Sequence, residues 1–186
     1  MRKTPVVIGI FVLSAVIATV FVIVQSAVTR ATHPLPYGEQ VAKACEMYSV
    51  PQEIVYAVIK SESDFKPDCV SQKGAIGLMQ LTPDTFTWLC SKSGDGDPSA
   101  ERLYMPEVNI RYGTMFLSLL YTEYGVWDTC FAAYNAGRTR VSEWLNEPGN
   151  NENGKLVHIP FTETEKYVKK VSAAVEIYRG ILHPET

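Results

Sequence analysis

Glu62 is the residue of this sequence with the clearest potential for acid–base chemistry, because it follows an apolar helical pattern. Val58 and Ile59 precede it by four and three residues, so a helix continuing through this stretch puts all three on one face. An apolar environment disfavours the charged form of a carboxyl group and raises its pKa. A carboxyl that stays protonated near neutral pH can donate a proton to a leaving oxygen. The alternative is that the helix ends near Ser61 and leaves Glu62 solvated.

The stretch "SQKGAIGLMQLTP" that follows contains two glycines three residues apart, Gly74 and Gly77. Glycine adopts backbone conformations that other residues resist, and it lets a ligand or another chain segment approach closely. Gln80 comes next, and its side-chain amide could orient a sugar hydroxyl, an N-acetyl group or a carboxyl. The alternative interpretation of this stretch is a purely structural turn.

A second carboxyl group is not evident beside Glu62. Most glycosidases use two carboxyl groups, about 5 to 5.5 Å apart in retaining enzymes and about 6.5 to 9.5 Å apart in inverting enzymes. Asp64 would point away from Glu62 on a continuing helix, whereas Asp68 follows Pro67 in a loop and could turn back. The sequence alone leaves the second carboxyl open.

The elements that must position these residues are predicted to be helices almost throughout. Thr82 and Pro83 mark one helix start as N-cap and first helical residue, and Thr162 with Glu165 forms a T-x-x-E capping box at the start of the last helix. That helix is predicted to close at Gly180. The other predicted elements are helices over residues 39–48, from Pro51, over 105–124 and over 141–145, and a polar loop over 146–154.

The stretch from Thr4 to Thr29 has no charged residue and is long enough to span a bilayer as a helix. Arg2 and Lys3 precede it, and the positive-inside rule then predicts a cytoplasmic N-terminus with the rest of the chain outside. A cleaved signal peptide is the alternative, although its apolar core usually runs only about 7 to 15 residues. The predicted organisation is a membrane anchor or signal segment over residues 1–30, a linker over 31–38 and a catalytic domain over 39–186.

Composition narrows the function classes. Residues 31–186 contain 14 basic and 20 acidic residues without a basic stripe, which argues against nucleic-acid binding. Three scattered histidines and no clustered ligands predict neither a metal nor a cofactor. An even number of cysteines in an exported domain favours disulfides, with three possible pairings among Cys45, Cys69, Cys90 and Cys130.

Five motifs in order resemble the lytic transglycosylases of the soluble Slt type, over roughly residues 39–180. The motifs are "ES" at Glu62 with Ser71 nine residues later, "GAIGLMQLTPDT", Asn109 and Ile110 with Gly113, "AYNAG" at 133–137, and "IPFTETEKYVKKV" at 159–171.

The resemblance implies a mainly α, lysozyme-like α+β fold: a helical domain with a small β element, here preceded by one transmembrane helix. It implies peptidoglycan glycan strands as substrate and Glu62 as the catalytic acid. The substrate-binding positions that it implies are Ser71 and Gln80, Met79 lining the cleft, Tyr134 with Asn135, the acidic Glu163, and Tyr167. This family commonly has an arginine where this chain has Glu165, which is a departure from its pattern.

The resemblance also implies non-hydrolytic cleavage by one glutamate, so that no second carboxylate is needed. The glutamate first protonates the oxygen between N-acetylmuramic acid and N-acetylglucosamine. It then accepts the proton of the muramoyl 6-hydroxyl, which closes a 1,6-anhydro end. Two alternatives remain at this point: a goose-type lysozyme that delivers water to the same bond, and a membrane-tethered wall-binding module without activity.

Overall fold

The computed structural model describes residues 4–184 of the 186-residue chain. The chain divides into two compact units, Met1–Pro34 and Leu35–Thr186. Arg2 and Lys3, on which the predicted membrane orientation rests, lie outside the described residues.

The first unit contains one helix, α1 (Thr4–Thr32), which extends three residues beyond the predicted apolar stretch. Its part from Leu13 to Thr32 is long and apolar enough to cross a membrane, judged by length and composition. Its large apolar side chains between Leu13 and Val28 are exposed in the structure.

The second unit is built from seven α-helices, one short 3₁₀ segment and a two-stranded hairpin. In chain order these are α2 (Gly38–Tyr48), α3 (Gln52–Glu62), α4 (Pro83–Ser93), the 3₁₀ segment Ala100–Tyr104, α5 (Pro106–Tyr124), α6 (Trp127–Ala136), α7 (Arg138–Leu145), β1 (Asn151–Glu152), β2 (Lys155–Leu156) and α8 (Thr162–Leu182). The expectation of a mainly helical domain with a small β element is confirmed.

The small β element is an antiparallel hairpin in which Asn151 pairs with Leu156 and Glu152 with Lys155. Its turn consists of Asn153 and Gly154, which have φ values of 53° and 83°. Both values lie in the left-handed region that a tight hairpin turn requires and that Asn-Gly sequences favour. The prediction of a polar loop over 146–154 is therefore wrong in its last part, where β1 begins.

Helix α3, which ends at Glu62, is surrounded by other elements of the fold. Its residues from Ile54 to Ile59 are all buried, so it is covered on every side rather than on one face. Helix α8 packs along it, and the rings of Tyr56 and Tyr178 stack with their centroids 5.5 Å apart. An element held this firmly fixes the position of the residue at its end, which is Glu62.

Of three predicted helix ends, the structure confirms one and contradicts two. The Thr82 hydroxyl accepts a hydrogen bond from the backbone N–H of Thr85 at 3.2 Å, which confirms the predicted N-cap of α4. The capping box of α8 is wrong, because Phe161 occupies the cap position and Thr162 is already helical. The Phe161 ring packs edge-on against Trp144, with centroids 5.2 Å apart. Gly180 lies inside α8, which ends at Leu182.

The predicted disulfides are absent, and all four cysteines of the described chain are free thiols. Cys45, Cys90 and Cys130 lie on three different helices, α2, α4 and α6, and are buried in the core. Burial raises the pKa of the Cys45 and Cys130 thiols to about 12, so both stay protonated and serve as small apolar residues.

Asn109, in the first turns of α5, holds in place the segment over residues 71–82, which is called the glycine loop below. Its side chain is completely buried and makes three hydrogen bonds. Its Oδ1 accepts from the backbone N–H of Met79 at 2.7 Å, and its Nδ2 donates to the carbonyls of Ile76 at 2.9 Å and Leu103 at 2.8 Å. A Cβ on Gly77 would lie 2.3 Å from Asn109 Nδ2, so this close approach requires glycine.

The substitution Asn109→Ala should destabilise the second unit strongly. It leaves the buried N–H of Met79 and the carbonyl of Leu103 without partners, and each such group costs about 1–3 kcal/mol. The Ile76 carbonyl keeps its hydrogen bond from the backbone N–H of Leu81. We expect the free energy of unfolding to fall by about 2–4 kcal/mol, measured by urea denaturation and tryptophan fluorescence, since all three tryptophans lie in this unit.

Asn146→Ala is the matched control, because Asn146 is exposed at the end of α7. It should change the free energy of unfolding by less than about 0.5 kcal/mol. Equal losses in the two variants would contradict the role assigned to Asn109.

Candidate active site

An open cleft of about 380 Å³ in the second unit contains six of the eight residues predicted for the site. It lies where the end of α3, the glycine loop, the end of α6 and the start of α8 meet. The predicted residues that line it are Glu62, Ser71, Gln80, Tyr134, Asn135 and Glu163, and four further residues, Gln72, Lys73, Ala75 and Thr82, complete it.

Glu62 is the last residue of α3, and its carboxyl group meets the inner face of α8. Its Oε1 accepts a hydrogen bond of 2.6 Å from the hydroxyl of Tyr167. Burial raises the pKa of Glu62 to about 7, while the Tyr167 hydrogen bond and the nearby charge of Lys170 oppose this rise. The carboxyl group can therefore exchange between its acid and base forms near neutral pH.

The chain turns sharply directly after Glu62. Asp64 and Phe65 have φ values of 51° and 64°, in the left-handed region, and the buried Ser63 hydroxyl donates to the carbonyl of Leu78 at 2.8 Å. This hydrogen bond ties the end of α3 to the glycine loop. Strained backbone of this kind persists only where the surroundings hold it.

Neither candidate for a second carboxylate reaches Glu62. Asp64 is exposed and pairs with Lys60 at 2.5 Å, one turn back on the helix. Asp68 is exposed and does not line the cleft. Among the residues that line the cleft, the carboxyl groups are those of Glu62 and Glu163.

The glycine loop is held by hydrogen bonds from predicted site residues. Gly74 and Gly77 have φ values of 75° and 81°, as the spacing suggested. The Ser71 hydroxyl accepts from the backbone N–H of Ala75 at 3.0 Å. Gln80, itself left-handed with a φ of 49°, donates from Nε2 to the carbonyl of Cys69 at 3.0 Å and to that of Gly77 at 2.9 Å. Its donor group is thus engaged within the loop, which leaves the amide oxygen to face a ligand.

Tyr134 and Asn135 connect the end of α6 to the glycine loop and to helix α8. The Tyr134 hydroxyl donates to the carbonyl of Met79 at 2.7 Å. Asn135 Oδ1 accepts from the Thr164 hydroxyl of α8 at 2.9 Å. Burial raises the pKa of the Tyr134 hydroxyl, as it does for Tyr167, so both remain donors at neutral pH.

The expectation that Met79 lines the cleft is wrong, because its side chain is completely buried. A Cβ on Gly113 would lie 2.3 Å from the Met79 sulfur, so the methionine packs directly on the backbone of α5. Met79 contributes to the site through its backbone, which bonds to both Asn109 and Tyr134. The same contact explains the glycine that follows Asn109 and Ile110 in the sequence.

The two acidic residues at the start of α8 lie on the rim or outside the cleft. Glu163 lines the cleft, is largely exposed and lies 3.9 Å from the ammonium group of Lys73. Glu165, the departure from the resemblance, pairs with Lys169 at 2.5 Å along its own helix.

The sequence alone did not identify Lys170 as part of the site. Its Nζ donates to the carbonyl of Ser61, next to Glu62, at 2.8 Å. Lys170 follows Tyr167 by three residues and therefore shares its helix face, a spacing that would have indicated it once that face was known to meet α3. In the part of the chain that the structure describes, no group of three or more His, Cys, Asp or Glu residues could hold a metal ion.

The helical fold, the glycine loop and the Glu62 carboxyl at the end of α3 agree with one class of protein. Residues 39–157, more than half of the chain, match the transglycosylase SLT domain. The chain belongs to the transglycosylase SLT domain family, which confirms the resemblance inferred from its motifs.

Individual relatives are lytic transglycosylases by name. The soluble lytic murein transglycosylase of Escherichia coli K12 is 38% identical over 78% of this chain and 23% of its own length. The membrane-bound lytic murein transglycosylase C of Glaesserella parasuis is 30% identical over 88% of this chain and 50% of its own length. The chain thus spans about a quarter of the soluble relative and half of the membrane-bound one.

Solved structures agree with these relatives. The 70-kDa soluble lytic transglycosylase of Escherichia coli matches 83% of this chain and 26% of its own chain, with a TM-score of 0.75 and 32% identity. An inactive Glu-to-Gln variant of the lytic transglycosylase Slt from Pseudomonas aeruginosa matches 83% of this chain and 25% of its own, with a TM-score of 0.73 and 31% identity.

Burial of the Glu62 carboxyl predicts a stability that depends on pH. Its pKa rises from 4.5 to about 7 on folding, so between these values the folded chain binds more protons than the unfolded chain. Stability linked to this group is therefore present below pH 4.5 and is lost as the pH rises through 7. Glu62→Gln removes this titration, so from pH 4.5 to pH 8.5 the free energy of unfolding of the variant should rise by about 3 kcal/mol relative to that of the parent.

Urea denaturation at the two pH values measures this gain. Glu143→Gln, on the exposed surface of α7, is the control and should change stability by less than about 0.5 kcal/mol at either pH. A Glu62→Gln difference that is the same at pH 4.5 and pH 8.5 would show that the Glu62 pKa is not raised.

Proposed function

We propose that this protein is a peptidoglycan lytic transglycosylase, which cleaves the β-1,4 bond between N-acetylmuramic acid and N-acetylglucosamine. The observation that carries the proposal is the Glu62 carboxyl, half-buried at the end of α3 with a pKa raised to about 7 in an open cleft. Membership of the SLT family and the names of its relatives support the same reaction and substrate.

In the first step, protonated Glu62 donates its proton to the glycosidic oxygen while the bond to the muramoyl anomeric carbon breaks. N-acetylglucosamine leaves with a free hydroxyl group. The positive charge that develops on the anomeric carbon is stabilised by the N-acetyl group of the substrate itself. Glu62 is now a carboxylate, which the hydroxyl of Tyr167 stabilises through its 2.6 Å hydrogen bond.

In the second step, the Glu62 carboxylate accepts the proton of the muramoyl 6-hydroxyl. That oxygen attacks the anomeric carbon and closes the 1,6-anhydro ring, so no water is consumed and Glu62 returns to its acid form. One group with a pKa near neutrality fits both roles. Asp64, which pairs with Lys60, and Asp68 do not line the cleft, which supports this route over a mechanism that uses either of them as a second carboxylate.

The remaining cleft residues are assigned to substrate binding. The Gln80 amide oxygen would accept a hydrogen bond from a sugar hydroxyl or N-acetyl N–H group, since the amide nitrogen already donates within the glycine loop. Ser71 fixes the glycine loop, and Asn135 and Glu163 present polar atoms on the α6 and α8 side of the cleft. Met79 acts indirectly, since its carbonyl orients Tyr134.

Two alternatives lead to different products. A goose-type lysozyme would use the same glutamate with water, and a wall-binding module would release nothing. The raised pKa of Glu62 favours catalysis over binding alone, because perturbed carboxyl groups in clefts are typical of catalytic sites.

We also propose that α1 anchors the protein in the cell membrane as a single span. The N-terminus would then be cytoplasmic and the second unit extracytoplasmic, where it can reach peptidoglycan. The length and apolar character of α1 support this location, as does the name of the membrane-bound relatives. If the segment is cleaved instead, the protein is secreted.

Mass spectrometry of muropeptides released from purified peptidoglycan tests the reaction. We expect products one water lighter than those of hydrolysis, without reducing muramic ends. Glu62→Gln should lower the release rate by about 10²- to 10⁴-fold, the usual contribution of a general acid or base. Glu143→Gln is the surface control and should act like the parent. Reducing ends would indicate a lysozyme, and full activity of Glu62→Gln would disprove the assigned mechanism.

Tyr167→Phe tests how the acid form of Glu62 is controlled. The Tyr167 hydrogen bond lowers the Glu62 pKa, so its removal should raise that pKa further. The activity of the parent should fall as the pH rises above about 7, and in Tyr167→Phe this fall should move to higher pH. Tyr121→Phe, on an exposed tyrosine that stacks on Trp127, should leave the pH profile unchanged. A profile that moves to lower pH in Tyr167→Phe would contradict the role of the hydrogen bond.

A further inference from the structure

Helix α8 makes two hydrogen bonds to the last turn of α3, from residues one helical turn apart. The Tyr167 hydroxyl donates to Glu62 Oε1 at 2.6 Å, and Lys170 Nζ donates to the Ser61 carbonyl at 2.8 Å. Residues three apart on a helix lie on the same face, so one face of α8 holds two successive residues of α3. The second of these contacts belongs to no assigned site residue.

The end of α3 is a favourable place for a cation. The last carbonyls of a helix have no partner inside the helix, and they form the negative end of its dipole. Ser61 is the residue before the end of α3, so the ammonium group of Lys170 satisfies one of these carbonyls. It thereby contacts the residue before Glu62, and its charge acts on the Glu62 carboxyl.

The charge of Lys170 is not neutralised by a carboxylate within hydrogen-bonding distance. Its neighbour Lys169 pairs with Glu165 at 2.5 Å, and Lys60 pairs with Asp64 at 2.5 Å. Lys170 forms no such ion pair in the described part of the chain, and its hydrogen bond goes to a neutral carbonyl. Its positive charge acts on two carboxyl groups, those of Glu62 and Asp64, and lowers the pKa of each.

The other groups that face Glu62 do not supply a positive charge. Tyr167 of α8 and Tyr134 of α6 are neutral hydroxyls. Ser71 and Gln80 of the glycine loop are also uncharged, and Lys73 on the rim lies 3.9 Å from Glu163. Lys170 is the cation whose charge opposes the effect of burial on Glu62.

We propose that Lys170 is a positioning residue of the active site, which ties the end of α3 to α8 and favours the carboxylate form of Glu62 by its charge. This inference rests on the proposed function, in which Glu62 must act as a base after it has acted as an acid. Burial supports the acid role, and Lys170 with Tyr167 supports the base role. Because these effects oppose each other, the Glu62 carboxyl can act as an acid in the first step and as a base in the second.

Three variants of the full-length protein in detergent micelles separate charge from packing. Lys170→Met removes the charge and keeps an apolar stem, Lys170→Arg keeps the charge, and Lys169→Met removes the neighbouring charge, which pairs with Glu165. Two readouts are compared: direct titration of the Glu62 carboxyl by carbon-13 NMR, assigned with Glu62→Gln, and the pH profile of muropeptide release.

In Lys170→Met the Glu62 titration and the fall of activity at high pH should both move to higher pH. The release rate at pH 7 should fall about 10-fold, as expected when a catalytic group loses its orientation. Lys170→Arg should restore the titration and most of the rate, and Lys169→Met should match the parent in both readouts.

Two NMR results would overturn the proposal. An unchanged Glu62 titration in Lys170→Met would show that the charge does not reach the carboxyl group. A titration that moves to lower pH would show that Lys170 only keeps Glu62 buried. Because the NMR titration requires no turnover, it decides the role of Lys170 even if the parent releases no muropeptides, a result that would contradict the proposed function separately.

Discussion

The site depends on the burial of one carboxyl group at the end of a helix that is itself buried. Removal of Glu62 from water disfavours its charge, and the contacts from α8 restore part of that loss. The balance holds only if the end of α3 cannot move. Packing of α3 on all sides and the hydrogen bond from Ser63 to the glycine loop supply this rigidity. The fold can therefore be understood as the support of a single carboxyl group.

The glycine loop connects the end of α3 to α5 and α6 through hydrogen bonds. The backbone N–H of Met79 bonds to Asn109 of α5, and its carbonyl accepts from Tyr134 of α6. The Met79 side chain reaches the core only because Gly113 has no Cβ. One buried residue thus joins two helices and the loop that carries Gln80. Asn109 and Gly113 therefore position the cleft without lining it.

The sequence predicted those features that depend on neighbouring residues. The cap at Thr82, the left-handed glycines and the position of Glu62 on an apolar face all follow from local spacing. Three predictions were wrong: Met79 as a cleft-lining residue, the capping box of α8, and the disulfides. Each of these features depends on tertiary packing. Met79 packs on Gly113, Phe161 packs on Trp144 at the start of α8, and three of the cysteines are separated in the core. Lys170 was missed because a helical pattern does not reveal which residue of another element its inner face meets.

The distribution of charge on α8 explains how the chain tolerates a glutamate where the family commonly has an arginine. An unpaired carboxylate near the cleft would repel the Glu62 carboxylate and disfavour the base form. Glu165 does not line the cleft, and Glu163 is exposed and lies near Lys73, so neither acts on Glu62 as an isolated negative charge. Lys170 carries a positive charge that acts on the Glu62 carboxyl. The helix therefore keeps its acidic residues paired or solvated, and its Lys170 contacts the residue before Glu62, the group that loses and regains a proton in the proposed mechanism.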